Sequence, residues 1–185
     1  EIIYNFEVKN NKIKKIYEIN PVRGFEPGKT PEVKEVIISP AKHFITLAPE
    51  REKAIKLIKQ ELDTQLKYLE KNKKYLEIER LERRTKFDLA MMAEIGYCHG
   101  IENYSRHLSG RAAGEAPATL LDYFPSDFIT IIDESHVTIP QLRGMSEGDA
   151  ARKKILIEYG FRLPSAADNR PLKFPEFEKR INQVI

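Results

Sequence analysis

Cysteine is nearly missing from this sequence. A single thiol, Cys98, rules out a disulfide framework and a cysteine-rich zinc module, and it fits a reducing, cytoplasmic setting. No apolar run approaches the ~18 residues needed to span a membrane, and the N-terminus has no signal-peptide features. Internal repeats and low-complexity tracts are absent. Net charge is small: 31 Lys and Arg oppose 28 Asp and Glu, giving +3 and a pI of 8.8, which permits nucleic-acid binding without arguing for it. What is present is 185 residues, 41% hydrophobic and 32% charged, enough to bury a core in one domain or two small ones. The sequence starts on Glu1 rather than Met and both ends read as strand, so it is expected to be an internal piece of a longer protein.

The pattern predicts a mixed α/β chain. Residues 2–19 read as a β-hairpin, with β-branched and aromatic runs either side of Lys9-Asn10-Asn11-Lys12. Residues 20–32 are a Pro- and Gly-rich loop, and Val33–Ser39 reads as a strand stopped by Pro40. Ile55, Ile58, Leu62, Leu66 and Leu69, then Ile78, Leu81, Thr85, Leu89 and Met92, recur at helical spacing. They predict helices over 50–71 and 75–95 folded as an antiparallel hairpin and stopped by Gly96; one long helix is the alternative. A short helix is expected within 101–108, helices over 146–159 and 175–183, and a strand over Phe128–Ile132 that is buried on both faces, as in a parallel sheet.

That strand carries the sharpest chemistry. Ile129-Thr130-Ile131-Ile132 delivers Asp133-Glu134-Ser135-His136, two adjacent acids at the carboxyl end of a strand, where open α/β sheets bind ligands. In nucleotide hydrolases an Asp there holds Mg²⁺ on the phosphates and a neighbouring Glu orients water, and apolar-Asp-Glu-x-His is a Walker B pattern of helicase-like ATPases. A polar turn ending an ordinary strand is the competing reading. Gly28-Lys29-Thr30 imitates a phosphate loop, but Arg23 stands where the first Gly is required and Pro31 follows. A Walker A loop is therefore missing, and the chain alone is expected to be inactive as an ATPase. Cys98, His99 and His107 lack zinc-site spacing, and Ser135, His136 and Asp133 are too close in sequence to converge as a triad. Tyr97, Tyr104, Arg106, His107 and Arg111 suit base stacking and phosphate pairing, or else a half-buried helix and loop. Lys71, Lys73, Lys74, Arg80, Arg83 and Arg84 read as a solvated face.

Four strings then carry a resemblance: Gly100-Ile101-Glu102-Asn103-Tyr104-Ser105-Arg106-His107; Leu120-Leu121-Asp122-Tyr123-Phe124-Pro125; Ile132 through Met145; and Gly160 through Leu172. Together they resemble the UvrB family, helicase-like damage-verifying subunits of the bacterial UvrABC nucleotide-excision repair system. The resemblance implies that 1–46 is the C-terminal part of a UvrA-binding insertion domain, 47–115 a helical insertion, and 116–185 part of the first RecA-like domain. It implies ATP and Mg²⁺ as cofactors of the longer protein, and UvrA, UvrC and damaged DNA as partners. By the same resemblance Asp133 is the acid that holds Mg²⁺ through water and Glu134 the water-positioning acid, with His136 beside the nucleotide. Arg84, Glu102 and Arg162 fall where the family holds a DNA-clamping hairpin and the threaded strand, and Tyr97 and Arg106 lie near the DNA path. The loop over 20–32 departs from the family pattern, which puts UvrA contact through this piece in doubt. The competing class is a standalone helical-hairpin interaction module, marked by an exposed Ile55–Ile58–Leu62–Leu66 stripe. Unpaired edges on the Phe128–Ile132 strand would invite self-association.

Overall fold

The computed structural model describes residues 3–38 and 46–185, and its contacts divide into two units, 1–42 and 43–185. In the first, β1 (Ile3–Lys9) pairs antiparallel with β2 (Lys12–Ile19). Asn10 and Asn11 both take positive φ, the tight-turn geometry whose twist suits two strands, and Asn tolerates it better than other residues with a Cβ. Glu7 pairs with Lys15 but Val8 with Ile13, so Lys14 is an extra residue that bends the ribbon. Ile16 and Ile19 are buried, and Tyr17 meets Phe25 edge-on at 5.1 Å. The expected third strand is shorter and starts earlier: β3 is Glu32–Val33, paired with Tyr17 and Ile16. Beyond it Ile37 and Ile38 stand exposed, so apolar content without a partner did not make a strand. Ile2, Ser39 and Pro40, also assigned from sequence, lie outside the described residues. Gly28-Lys29-Thr30 is a turn, with the Lys29 and Thr30 amides donating to the Glu26 carbonyl, and no helix starts there.

The second unit is built on two helices, α1 (Ala48–Lys71) and α2 (Tyr75–Ile95), rather than one long one. A three-residue connection leaves only an antiparallel return. Ile58, Leu62 and Leu69 interleave with Leu81, Leu89 and Met92, closed over by Cys98, Ile101, Tyr104 and Leu163, while Ile55 and Leu66 pack against this core. Each fully buried side chain contributes about 1.5–3 kcal/mol. The stripe therefore faces inward, which removes the mark of a free interaction arm. The connection is a helix-ending motif: the Lys74 amide donates to Leu69 O, the Lys73 amide to Glu70 O, and Lys73 sits at φ 57°. Gly96, also left-handed, ends α2.

Past α2 come two short turns, Ile101–Tyr104 and α3 (Ser105–Leu108), then a loop and a 3₁₀ turn at Leu120–Tyr123. The strand expected over Phe128–Ile132 is corrected here. Only β4 (Ile129–Thr130) is a strand, paired in parallel with β5 (Gln183–Val184), and Ile129 and Ile131 are 54% and 76% exposed rather than buried on both faces. One neighbour of two residues covers neither face. The next helix is longer than the 146–159 expectation. α4 runs Ser135–Glu158 through Pro140. Proline removes one helical donor, but the turn before it is already secured: the Val137 and Thr138 amides donate to Glu134 O, and the Thr138 hydroxyl to Asp133 O. The last helix is shorter than 175–183: α5 is Phe174–Glu178, and the chain then leaves for β5.

α4 ends in the same motif as α1. Phe161 donates to Leu156 O and Gly160 to Ile157 O, with Gly160 at φ 68°. A Cβ on Gly160 would lie 2.5 Å from the Glu77 carbonyl oxygen, so the turn rests directly on the backbone of α2. Two substitutions separate these ends. Lys73→Gly relieves a left-handed residue with a side chain, worth ~1–2 kcal/mol less the added freedom of the unfolded chain, and is expected to stabilise by about 0.5–1 kcal/mol in urea unfolding. Gly160→Ala adds both the conformational cost and a backbone collision, and is expected to destabilise by about 3 kcal/mol.

Candidate functional site

Asp133–His136 follow the carboxyl end of β4 after Ile131 and Ile132. Glu134 adopts φ 47° as the residue preceding α4, and its amide donates to Asp133 Oδ1 at 2.9 Å. That bond occupies one carboxylate oxygen of Asp133. His136 Nδ1 lies 3.3 Å from Glu134 Oε2, and all four residues of Asp133–His136 are exposed. The left-handed turn at Glu134 separates strand from helix and leaves both acids exposed.

A second feature lies where the end of α4 meets α2. Arg80, Arg83, Arg84, Phe87, Phe161 and Arg162 line a shallow groove that has four guanidiniums and no carboxylate among its lining residues. Arg80 Nη1 donates to Tyr159 O at 2.6 Å, and its guanidinium lies 4.2 Å from the centre of the Phe161 ring. Arg84 donates to Asp88 Oδ2 at 2.9 Å and to His99 O at 2.9 Å, and the Asp88 bond raises its pKa. Lys74 pairs with Glu158 at 3.7 Å. The face read as merely solvated is thus corrected for Lys74, Arg80 and Arg84, which hold neighbouring backbone and carboxylates. Among the described residues Arg162 donates to Phe161 O alone, and Arg83 is a loose 3.8 Å from Glu79. Tyr97 is half-buried and meets His99 edge-on at 6.3 Å, while Glu102 is exposed in the turn after Gly100.

Behind the groove, Tyr104 donates to buried Asp88 at 2.8 Å. Burial pushes the Tyr104 hydroxyl well above its ordinary pKa and the Cys98 thiol up to about 12, so Cys98 stays protonated and inert.

Arg106 and His107 occupy a different environment, an internal polar network. Arg106 Nη1 reaches Asp168 Oδ2 at 2.8 Å and Nη2 reaches Glu61 Oε1 at 3.5 Å. His107 Nε2 is 2.7 Å from Glu61 Oε2, and the Ser165 amide donates to Glu61 Oε1 at 2.7 Å. Burial would raise the Glu61 carboxyl, but hydrogen bonds from His107 and Ser165 hold it below its ordinary value. Arg111, which burial pushes down, donates to the Ser105 and Ser109 hydroxyls and to two carbonyls. Of the aromatic and basic residues grouped in the sequence, Tyr104, Arg106, His107 and Arg111 therefore bind within the protein. Sequence reasoning missed Phe161, Phe87 and Glu61. The signal for Glu61 was a carboxylate on the apolar stripe between Ile58 and Leu62.

With these sites in place, the comparisons with known proteins are specific. Residues 49–110, which take in most of the helical hairpin, match the model of the UvrB third helical domain. The sequence matches UvrB along its length. It is 56% identical to UvrABC system protein B of Carboxydothermus hydrogenoformans over 97% of this chain and 27% of that protein. The same-named proteins of Dehalococcoides mccartyi and Bacillus subtilis are each 54% identical, over 100% and 97% of the chain. The chain thus spans about a quarter of the length of the UvrB relatives it matches. No helix among the described residues is long and apolar enough to cross a membrane.

A pH dependence follows from the carboxylates. Arg170 grips Glu176 through two bonds of 2.7 and 2.8 Å and holds its carboxyl down from 4.5 to about 2. Both Glu61 and Glu176 are depressed on folding, so their contribution is complete above the ordinary carboxylate range and is lost as pH falls. Thermal stability is expected to drop between pH 4.5 and about 2, and Glu176→Gln to flatten part of that slope in a scanning calorimetry series. An equal slope in the variant would remove the pair from the account.

Proposed function

We propose that this chain is the helical insertion and the adjoining Walker B segment of a UvrB-type protein, which verifies damaged DNA with ATP after loading by UvrA and recruits UvrC for incision. On this reading 1–46 is the end of a UvrA-binding domain, 47–115 the helical insertion, and 116–185 part of a RecA-like domain. The observation that carries it is identity above 50% to UvrABC system protein B along the whole chain, supported by an acid pair at a parallel strand's carboxyl end.

The exposed acids Asp133 and Glu134 suit water-mediated contact to Mg²⁺ on a nucleotide that the longer protein would hold. Asp133 Oδ1 takes the Glu134 amide, and the residue is exposed, so its other carboxylate oxygen would be available to a metal-bound water. Glu134 is exposed and takes a left-handed backbone conformation that a residue with a side chain adopts at a cost. Bound Mg-ATP would supply the phosphoanhydride and the neutralising cation. With that group bound, Glu134 would accept a hydrogen bond from a water and orient it, Asp133 would hold the metal through water, and His136, 3.3 Å from Glu134 Oε2, would stand beside the nucleotide. Arg84, Arg162, Tyr97 and Glu102 form the DNA side, with Arg106 acting from behind through the network that positions α3. The interaction-arm alternative has no exposed stripe to support it.

In the longer protein, Glu134→Gln keeps shape and hydrogen bonding but loses the charge that orients water. ATP binding is expected to persist, measured with a fluorescent analogue, while hydrolysis falls about a hundredfold or more. Wild-type turnover would remove Glu134 from the role.

A further inference from the structure

We propose that Phe161, braced by Arg80, is a stacking platform for one nucleobase of single-stranded DNA, with Arg83 and Arg162 taking the flanking phosphates. This rests on the DNA-binding part of the function proposed above and names the contact that the groove makes. Four observations converge on it. First, the groove walls alternate guanidiniums with two phenyl rings, Phe87 and Phe161, both exposed, at 61% and 44%. Rings left in water beside cations suit a ligand that is planar, aromatic and anionic at once, which describes a nucleotide. Second, the Phe161 ring is held on one side by the Arg80 guanidinium at 4.2 Å, and Arg80 is itself tied to Tyr159 O. The platform is fixed before any ligand arrives, so little rotamer freedom is lost on stacking. Third, Gly160 seats this turn against the α2 backbone with no room for a side chain, which sets the height of Phe161 over the groove. Fourth, the cations divide by role. Arg84 is consumed by Asp88 and His99, and Arg80 by Tyr159 and the ring. Arg83 and Arg162 keep most of their donors for phosphate oxygens. An acidic peptide would use the same cations but has no need of the bare ring.

The test uses this chain and a single-stranded oligonucleotide carrying one 2-aminopurine, whose fluorescence falls on stacking. Wild type is expected to bind at low salt and quench the probe several-fold. Phe161→Leu should weaken binding roughly tenfold and abolish the quench at saturation. Arg80→Gln, which frees the ring without removing it, should leave a partial quench. Arg162→Ala should weaken binding while the saturated quench stays whole. Melting curves check that each variant is folded. An unchanged quench in Phe161→Leu would overturn the platform while leaving DNA binding standing. Binding indifferent to Phe161 but lost with Arg162 would also overturn it, in favour of charge alone. Failure of the wild-type chain to bind the oligonucleotide would overturn both the platform and the DNA side of the proposed function, independently of the Glu134 result.

Discussion

The arginine-lined groove of the second unit depends on one close approach: the backbone of Gly160 lying against the backbone of Glu77. The helical hairpin alone is a slab with one apolar stripe. It becomes a platform for a site only because the segment after α4 is laid across it and held at three successive places. Gly160 makes the backbone contact, Leu163 enters the hairpin core at 3% exposure, and Ser165 and Asp168 join the polar network behind α3. Each fixes a different degree of freedom: height, depth and direction. Phe161 and Arg162 lie between the first two and have almost no latitude. A single methyl at position 160 would lift the turn and misplace both, which is why a residue remote from any ligand governs the groove.

The network beneath is the second constraint, and it explains how charged groups come to be packed between elements. A buried carboxylate costs several kcal/mol unless its lone pairs are met. Glu61 receives Ser165, His107 and Arg106; Asp168 receives Arg106 and the Gly114 amide. The two acids thereby bind α1, α3, the loop at 114 and the turn at 164–168 into one piece. Hydrogen bonds are directional where apolar contacts are not, so this cluster sets orientation while the hairpin core supplies most of the favourable free energy. Arg106 is the common member of both acids' shells, and its position in the fold is set by them.

How legible this was in the sequence varied with the kind of force involved. The helical hairpin was plain, because spacing of Ile58, Leu62, Leu69, Leu81, Leu89 and Met92 reports the face that is buried. The first turn was plain too, since two Asn residues in sequence name the backbone geometry they tolerate. Strands beyond the hairpin were over-read: Val33–Ser39 and Phe128–Ile132 have strand composition, but a strand is a pairing, and pairing depends on residues elsewhere. α4 was under-read because Pro140, Gly144 and Gly148 argue against helix locally while capping bonds from Val137 and Thr138 had already started it. The acids at 133 and 134 were visible as a local string. The groove was not, because Arg80 and Tyr159, whose bond builds it, are 79 positions apart.

The same distinction settles what the overall charge can say. A net +3 looks uninformative, and as an average it is. The structure resolves it into regions of opposite sign at the two ends of α4, a helix of 24 residues and so about 36 Å long. Its N-terminal end carries Asp133 and Glu134, both exposed. Its C-terminal end delivers Tyr159, Phe161 and Arg162 to a groove lined by four guanidiniums. At physiological ionic strength charges interact over about 8 Å, so these ends do not cancel each other's field; each presents its own sign to whatever approaches. Sum charge measures solubility, whereas recognition depends on the distribution, and here one helix keeps the two signs apart.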